Sequence, residues 1–502
     1  MTRERLSRRA VLRSGTAGAA ALAGFVGTGV GATAGAPPAE RFEAGAARVD
    51  ASPQQRHFEE GVYLGGFGIG PQPSRRAIGN RDGVSARALA VSAGDEAVAM
   101  AVLDVTGLGN RQQRAIRRRS AERTGLDPSQ VLVSVTHTHA GPDFQGLWGG
   151  VPASYREYLV ERTVRSIERA VAAREPARAF VGSVDAADLA ANRRVEDFGT
   201  VSTLTALQFR RVRGDDTVAT FVNFAAHPTI VGSGNARVAT DYVGPLERAV
   251  EREQGGVAVY FNGAIGDASA DDSGGATDYA AAAGYGESLA ARADDALAEA
   301  GRVHAGLAAR EASVRLPIDN CLFKTAFESG LLRPYYDAET VTGTATERVF
   351  GSAPEAGALA IDSPVVRLTI GDRRRSVELL TVPGEAVTRL GRDLVDVLSS
   401  AGSDEQVIAG LTQNSIGYLV PKPHYEDGYE ETVSLGPDTA PLYRNTVAEL
   451  YDLDRTRYER LPPGTENVCP AGQAQFESFA GEFGQRFDAD DGPMGVDVGG
   501  TP

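Results

Sequence analysis

The chain has 502 residues, of which 42% are apolar, and it carries a formal net charge of −15. This apolar content can form a sizeable core, which excludes a wholly disordered chain, and the acidic balance excludes a general nucleic-acid-binding protein, which needs a basic face. Two cysteines, Cys321 and Cys469, are too few for a disulfide-rich scaffold or a cysteine-type zinc module, although the two could pair outside the cell.

The first 36 residues have the pattern of an export signal. Residues Ser7–Arg13 resemble the twin-arginine consensus, with Val11 where phenylalanine is commoner, and a weakly hydrophobic stretch rich in glycine and alanine follows. Small residues at Ala32–Ala34 or Ala34–Ala36 offer a cleavage site. The alternative is a single membrane anchor, which the many glycines disfavour. We expect the twin-arginine translocation machinery to export the folded protein to the cell surface or the extracellular space.

Residues 37–452 are predicted to form one large catalytic domain, with residues 37–60 as a lead-in segment. In chain order we predict strands over Ala86–Ser92 and Ala97–Asp104, a helix over Arg111–Thr124, a strand over Val131–Thr136, a helix over Ala153–Arg174, strands over Thr203–Arg211, Val218–Ala226 and Val257–Phe261, a helix over Tyr279–Glu299, strands over Pro364–Ile370 and Ser376–Val382, a helix over Glu385–Ser399 and a strand over Gln406–Leu411. This mixture predicts an α/β fold with mixed β-sheets flanked by helices. Residues 453–502, rich in glycine, aspartate and proline, are predicted to be an irregular tail.

Ligand-type side chains recur where predicted strands end. His137 and His139 follow one strand, His227 follows a second and Glu385 follows a third, with Tyr418 shortly past a fourth. Strand ends in α/β folds converge on a cleft, and two histidines with a carboxylate are a usual ligand set for catalytic zinc. Because residues i and i+2 of a strand share a face, both imidazoles of the His-x-His pair could enter one site. The alternative is a pair of hydrogen-bonded surface histidines.

Six segments resemble, in order, motifs of the neutral/alkaline (non-lysosomal) ceramidase family, and together they span about residues 60–440. These segments are Thr136–Pro142 (Thr-His-Thr-His-Ala-Gly-Pro), Asn192-Arg193, Asn223–Thr229 around the second histidine, Thr240–Gly244, Asn262–Ser269 and Pro383-Gly384-Glu385. The resemblance implies a zinc-dependent amidohydrolase that cleaves the N-acyl amide of a ceramide-like lipid and releases a fatty acid and an amine. Contact with a membrane surface is compatible with such a small lipid-like substrate.

The resemblance also implies a set of metal ligands. One Zn²⁺ per chain would be held by His137, His227 and Glu385, and a tyrosine would complete the ligand set. Tyr418 matches that tyrosine best, with Tyr425 as a rival. Asp241 is expected either to begin the next helix as its cap or to hydrogen-bond His227 behind the ligands.

Other residues of these motifs would surround the substrate carbonyl. The resemblance implies this role for His139, Arg193 and a second tyrosine, best matched by Tyr429. Ser269 would contact the substrate or, in a competing scheme, act as a nucleophile with His139 as its base. Asp267 lies in a Gly-Asp turn and would support the site from behind or cap the following segment.

The expected chemistry is attack by zinc-bound hydroxide on the carbonyl carbon, since zinc lowers the pKa of bound water to about 7. Zinc, Arg193 and a tyrosine hydroxyl would stabilise the developing oxyanion, and His139 would pass a proton to the leaving amine. We prefer this scheme to a Ser269 nucleophile because the metal already supplies an activated one.

The chain also departs from the family pattern. Ser269-Ala270-Asp271 replaces Ser-Pro-Asn, and Ala140 stands where serine is usual. The residues after the tyrosine segment are too few for the family's C-terminal immunoglobulin-like domain, which needs about 100 residues, so we expect that domain to be missing. These departures leave ceramide specificity open. The alternatives are a lipid or cell-envelope ester hydrolase on the same scaffold and a non-catalytic exported binding protein.

Overall fold

Two β-sheets that share a buried apolar core form the centre of the molecule. The computed structural model describes residues 41–68, 74–270, 278–340, 358–426 and 428–454. The predicted export signal, Cys469 and nearly all of the predicted tail therefore lie outside the described residues.

The larger sheet has nine strands in this part of the chain. They are β1 Phe42–Asp50, β2 Ser85–Ala93, β3 Glu96–Leu103, β4 Val131–Val135, β5 Glu175–Asp185, β6 Thr203–Arg211, β7 Thr217–Phe224, β8 Val257–Asn262 and β9 Gly301–Val303. Their order is β8-β7-β6-β5-β1-β2-β3-β4, and β9 also pairs with β5. The pairs β3–β4 and β7–β8 are parallel and the others are antiparallel, so the sheet is mixed, as predicted.

The smaller sheet is also mixed. It contains β10 Leu307–Pro317, β11 Glu339–Thr340, β12 Leu359–Asp372, β13 Arg375–Thr381 and β14 Glu405–Ala409. The order is β10-β12-β13-β14, with β11 beside β12, and β13 runs parallel to β14. Alternate residues of β12, β13 and β14 pack against β2, β3 and β4, which explains the apolar alternation seen in these strands.

Nine α-helices in the described ranges cover the sheets. They are α1 Gln55–Glu60, α2 Asn110–Thr124, α3 Ala153–Ala172, α4 Val243–Gln254, α5 Tyr279–Ala298, α6 Cys321–Glu328, α7 Thr388–Ser400, α8 Tyr429–Thr432 and α9 Thr439–Leu450. Helix α3 packs on β1 and β2, α4 and α5 pack on the β5–β8 half, and α7 and α9 pack on the smaller sheet. None of the described helices combines the length and apolar character needed to cross a bilayer.

The two outer strands of the larger sheet are brought together where they end. Asn262, the last residue of β8, donates a side-chain hydrogen bond of 3.0 Å to the carbonyl of Val135, the last residue of β4. The segment after β14 binds both edges, because the Gly410 amide donates to Asn262 at 2.8 Å and the Gln413 amide donates to Val133 at 2.8 Å. The smaller sheet thus joins the end of β4, from which His137 and His139 emerge, to the end of β8, the parallel neighbour of the strand β7 that precedes His227.

The predicted helices and strands are observed, with changes at a few boundaries. The prediction of a lead-in over residues 37–60 is wrong, because Phe42–Asp50 is an interior strand with antiparallel partners on both sides. Its alanine- and glycine-rich sequence has weak strand propensity. Gly45 is needed there, since a Cβ at this position would lie 2.3 Å from the carbonyl oxygen of Ala170 in α3.

The predicted helix over Glu385–Ser399 begins three residues late, at Thr388. Residues Glu385–Ala386 instead pair in parallel with Tyr418–Leu419 as a short ribbon. Three further short ribbons join Tyr63–Leu64 to Arg75–Arg76, Gly107–Leu108 to Asp143–Phe144, and Ala190–Asn192 to Ala268–Ala270. The described residues belong to one compact unit, consistent with a single α/β domain.

Candidate metal centre and substrate cavity

His137, His227 and Glu385 meet at the point where β4, β7 and β13 end. One carboxylate oxygen of Glu385, Oε2, lies 3.0 Å from His227 Nε2 and 3.3 Å from His137 Nε2. All three side chains are buried. The backbone of His137 has a φ of +63°, a left-handed conformation that costs energy in a residue other than glycine and that recurs at functional sites.

The opposite ring nitrogens fix the direction in which these two imidazoles point. His137 Nδ1 contacts the carbonyl oxygen of Thr106, and His227 Nδ1 lies 3.1 Å from the carbonyl oxygen of Ala268. A carbonyl can only accept, so each Nδ1 carries the ring proton and each Nε2 presents a lone pair. The Arg193 guanidinium lies farther from His227 Nδ1, at 3.4 Å.

This arrangement fits a bound cation. Two imidazole lone pairs and a carboxylate oxygen face one another at about 3 Å, which is unfavourable unless a positive charge lies among them. Backbone carbonyls that hold the outer nitrogens of metal-binding histidines are the usual supports of zinc ligands. The donor set therefore suits zinc.

His139 has the opposite orientation to its two neighbours. The Phe67 backbone N–H donates to His139 Nδ1 at 3.2 Å, so in the neutral ring the proton lies on Nε2. That Nε2 is 3.2 Å from His137 Nε2. The ligand nitrogens of the three histidines lie within 4.8 Å of one another, so a three-imidazole site is the alternative donor set. The hydrogen bond from Phe67 argues against it, because it makes His139 Nε2 a donor.

The surroundings of His139, His227 and Glu385 keep these groups in the forms that bind a metal. Burial, together with the Arg193 charge, lowers the pKa of His227 to about 4, and burial also lowers the pKa of His139 well below its usual value. Burial opposes ionisation of Glu385, but His137 and His227 hold the pKa of this carboxyl well below its usual range. Near neutral pH the site therefore holds neutral imidazoles on His139 and His227 and an ionised carboxylate.

Arg193 lies beside this cluster and faces two tyrosines. Its Nη2 donates to the Tyr418 hydroxyl at 3.0 Å and to the Gly266 carbonyl at 2.7 Å, and its Nε pairs with Glu430 at 3.1 Å. The guanidinium carbon lies 5.7 Å from the Tyr418 ring centroid and 5.8 Å from that of Tyr429. Tyr418 is buried, whereas Tyr429 is 46% exposed at the mouth of the site.

The rival tyrosine, Tyr425, lies elsewhere. Its hydroxyl contacts the Glu431 carbonyl at 3.4 Å, and the side chain does not line the cavity described below. Tyr418 is therefore the better placed of the two, since its backbone also pairs directly with Glu385.

Asp267 supports both Arg193 and the Glu385 segment. One of its carboxylate oxygens accepts from the Thr388 amide at 2.6 Å, and the other accepts from the Asn192 side chain at 3.1 Å. Its backbone carbonyl accepts from the Arg193 amide at 2.8 Å. Because Thr388 is the first residue of α7, Asp267 both caps this helix and holds the Asn-Arg pair against it.

The structure does not bring Asp241 to His227. Its carboxylate accepts from the Val231 amide at 2.9 Å and from the Tyr242 amide at 2.8 Å, and its side chain does not cap α4. Burial raises its pKa to about 6. Asp241 thus fixes the loop that follows His227, and neither of its two expected contacts is made.

Ser269 lies next to the site through its backbone. It occupies the ribbon Ala268–Ala270, is half-buried and forms an isolated bridge with His227. Its side chain does not line the cavity, and the nearest polar contacts of the His139 ring are Phe67 and His137. This arrangement gives no support to a Ser269 nucleophile activated by His139.

A cavity of about 800 Å³ reaches the cluster at His139. Its wall combines apolar, aromatic and charged side chains, among them Leu64, Phe67, Arg75, His139, Leu147, Trp148, Arg193, Arg194, Tyr418, Tyr429 and Glu430. Phe67, Arg75, Trp148, Arg194 and Glu430 were not predicted from the sequence. Only the Gly65-Gly66-Phe67-Gly68 run offered a signal, since glycines permit close approach to a site.

Asp143 organises one wall of the cavity. Its buried carboxylate accepts hydrogen bonds from four backbone amides of the loop that carries Trp148. The Trp148 indole in turn donates to the Gly68 carbonyl at 2.6 Å. The loop that carries Trp148 and the loop that carries Gly68 are thereby joined beside His139.

Comparison with known proteins shows a shared fold. No family model and no curated protein matches the chain. Among solved structures, the chain is similar to the neutral ceramidase from Pseudomonas aeruginosa, with a TM-score of 0.65 and 19% identity over 84% of this chain and 76% of that one. It is also similar to a ceramidase complexed with C2, with a TM-score of 0.63 and 18% identity over 85% of this chain and 78% of that one.

Proposed function

We propose that the chain is a zinc-dependent amidohydrolase that cleaves the N-acyl amide bond of a ceramide-like lipid. The observation that carries the proposal is the orientation of His137 and His227, whose Nδ1 atoms are held by carbonyls while both Nε2 atoms face Glu385. The fold shared with two ceramidase structures supports the choice of reaction. The resemblance of six ordered motifs to the same family agrees with it.

His137, His227 and Glu385 would hold the zinc, with Tyr418 beside them. When bound, zinc would supply an activated water near neutral pH and polarise a carbonyl. Net reaction adds the elements of water across the C–N bond, giving a carboxylic acid and an amine. The chain must therefore stabilise a developing oxyanion and provide a proton to the amine.

Arg193 is the main candidate for stabilising the developing oxyanion. Its partly exposed guanidinium lies 5.7 Å and 5.8 Å from the ring centroids of two tyrosines, at the wall of the cavity, where a fixed positive charge can stabilise an oxyanion. Desolvation acts to lower the pKa of Arg193, but Tyr418, Glu430 and Glu385 together raise this pKa above its usual value. The guanidinium therefore stays charged. Tyr429, at the mouth, could add a second donor.

His139 is the candidate for providing a proton to the leaving amine. Because Phe67 holds its Nδ1, the proton sits on Nε2 and points into the cluster. An imidazole in this state can donate to a leaving nitrogen and recover its proton from the attacking water.

The apolar part of the cavity wall suits an acyl chain. Leu64, Phe67, Leu147 and Trp148 form this surface beside His139. A lipid-like substrate would thus place its chain along these residues and its amide at the cluster.

The test is hydrolysis by the zinc-supplemented chain of a fluorescent N-acyl amide and of the matched ester. We expect release of fatty acid and amine, loss of activity with chelator and recovery with zinc. Hydrolysis of the ester alone would instead favour a lipid ester hydrolase. Binding without hydrolysis of either compound would favour a binding protein and refute the proposal.

We also propose that the protein is exported through the twin-arginine pathway, on the strength of Arg8-Arg9 and the weakly hydrophobic segment that follows. Replacement of both arginines by lysine should retain the protein inside the cell. Export of this variant at the wild-type level would refute the route.

A further inference from the structure

The charges on the cavity wall are not balanced. Three guanidinium groups line the cavity, on Arg75, Arg193 and Arg194, with a single carboxylate, on Glu430. Arg193 pairs with Glu430 at 3.1 Å, and Arg194 pairs with Glu430 at 3.2 Å and also with Glu431. Arg75 makes no ion pair with any carboxylate of the described residues. This cationic wall is unexpected in a chain with a net charge of −15.

Within the described residues, the guanidinium of Arg75 donates hydrogen bonds to backbone carbonyls only. Its Nη2 donates to His139 at 2.7 Å and to Gly65, and its Nη1 lies 3.5 Å from the carbonyl of Asn235. The guanidinium also lies over the Phe67 ring, 4.8 Å from its centroid. A guanidinium has five N–H groups, so its Nε–H and one N–H of Nη1 have no described partner.

The charge of Asp143 raises the pKa of Arg75, but the Asp143 carboxylate already accepts hydrogen bonds from four backbone amides of the loop that carries Trp148. Burial lowers the pKa of Arg75 to about 10, which still leaves it charged at neutral pH. Among the described residues no carboxylate contacts Arg75. A partly buried cation in that position is costly, and an anionic ligand with two acceptor oxygens lowers the cost.

We infer that the substrate carries an anionic group close to its amide and that Arg75 binds this group. Carboxylate is the simplest form of this chemistry, so the substrate class is an N-acyl amino acid or another acidic acyl amide. The inference rests on the proposed hydrolysis of an N-acyl amide and assigns an acidic amine part to the substrate, in place of the neutral amino alcohol of a ceramide. Arg75 contacts the backbone of His139 directly, which places the anion beside the scissile bond. The apolar wall of Leu64, Leu147 and Trp148 remains available for the acyl chain.

The experiment compares N-lauroylglycine with its neutral isostere N-lauroylglycinamide on the zinc-supplemented full chain. Trp148 is the only tryptophan and lines the cavity, so its fluorescence reports binding even without turnover. Both ligands are titrated against wild type, Arg75→Gln, Arg75→Lys and the control Arg76→Gln. Arg76 is exposed, is not among the residues of the cavity wall, and its guanidinium donates to the Phe58 and Glu59 carbonyls.

We expect the wild type to favour the anionic ligand at least tenfold, in Kd and in kcat/KM. Arg75→Gln should bring the ratio of the Kd values of the two ligands, and the ratio of their kcat/KM values, close to one, Arg75→Lys should keep part of the preference, and Arg76→Gln should keep all of it. Equal weakening of both ligands by Arg75→Gln would show that Arg75 only positions His139, and an unselective wild type would also overturn the inference. Absence of hydrolysis would count against the proposed function alone, because the fluorescence comparison still tests Arg75.

Discussion

His137 and His139 lie two residues apart with their Nε2 atoms 3.2 Å from each other, yet their rings face opposite kinds of partner. The Nδ1 of His137 meets a carbonyl, which accepts, whereas the Nδ1 of His139 meets an amide, which donates. One backbone stretch thus supplies an imidazole with a free lone pair and an imidazole with a free proton. Zinc-assisted amide hydrolysis requires this pair of functions.

The fit between Gly66 and the His139 ring gives a first prediction. Gly66 has a φ of +89°, and a Cβ there would lie 2.3 Å from the imidazole. Gly66→Ala should therefore displace His139 and lower kcat/KM at least tenfold with zinc content unchanged. Gly68→Ala is the control, because its φ of +84° imposes similar backbone strain but a Cβ would meet nothing within 4 Å. Equal activity of the two variants would show that the position of His139 does not matter.

Arg193 gives a second prediction, about the oxyanion. Removing one preorganised donor of this kind typically lowers kcat by roughly 10²–10³. Arg193→Gln should show a loss of this size with zinc retained and KM little changed. Arg292→Gln is a matched control, since this arginine forms a surface pair with Asp188 and neither residue lines the cavity. A variant Arg193→Gln that lost zinc and activity together would assign Arg193 to support of the ligands instead.

The pH dependence of zinc binding follows from the burial of His227. Its pKa of about 4 means that the ring stays deprotonated, and able to bind, until the solution is much more acidic than for an ordinary imidazole with a pKa of 6.5. Zinc affinity of the chelator-treated chain should therefore fall steeply only as the pH approaches 4. A midpoint near 6.5, measured by competition with a chromophoric chelator, would contradict this account of His227.

Much of the fold could be predicted from the local pattern of apolar residues. The elements that were not predicted have physical reasons for being missed. Apolar strands such as β4 and β8 were predictable, but β1 was not, because an alanine- and glycine-rich segment becomes a strand only when α3 packs closely over Gly45. The short ribbon at Glu385 was also hidden, since its pairing with Tyr418 is a tertiary contact.

The reason why the histidines converge also differs from the expected one. Strand ends were expected to converge on a cleft, as they do in α/β folds, but β4 and β7 are separated by an odd number of antiparallel pairings and run in opposite directions within the sheet. They meet because the sheet is closed by Asn262 and by the segment after β14. The ligand-type residues were thus recognisable from the sequence, whereas Arg75 and Phe67 were not. Arg75 had no motif to distinguish it from the other arginines, and Phe67 acts through its backbone.

The most direct test of the ligand assignment is elemental analysis of the purified chain as wild type, His227→Ala and His139→Ala. With His137, His227 and Glu385 as ligands and His139 as the proton donor, the wild type and His139→Ala should each hold about one zinc per chain, and His227→Ala should hold none. His139→Ala should nevertheless be inactive. Loss of zinc from His139→Ala would establish the three-imidazole site instead, and a wild type that takes up no zinc would contradict the metal centre itself.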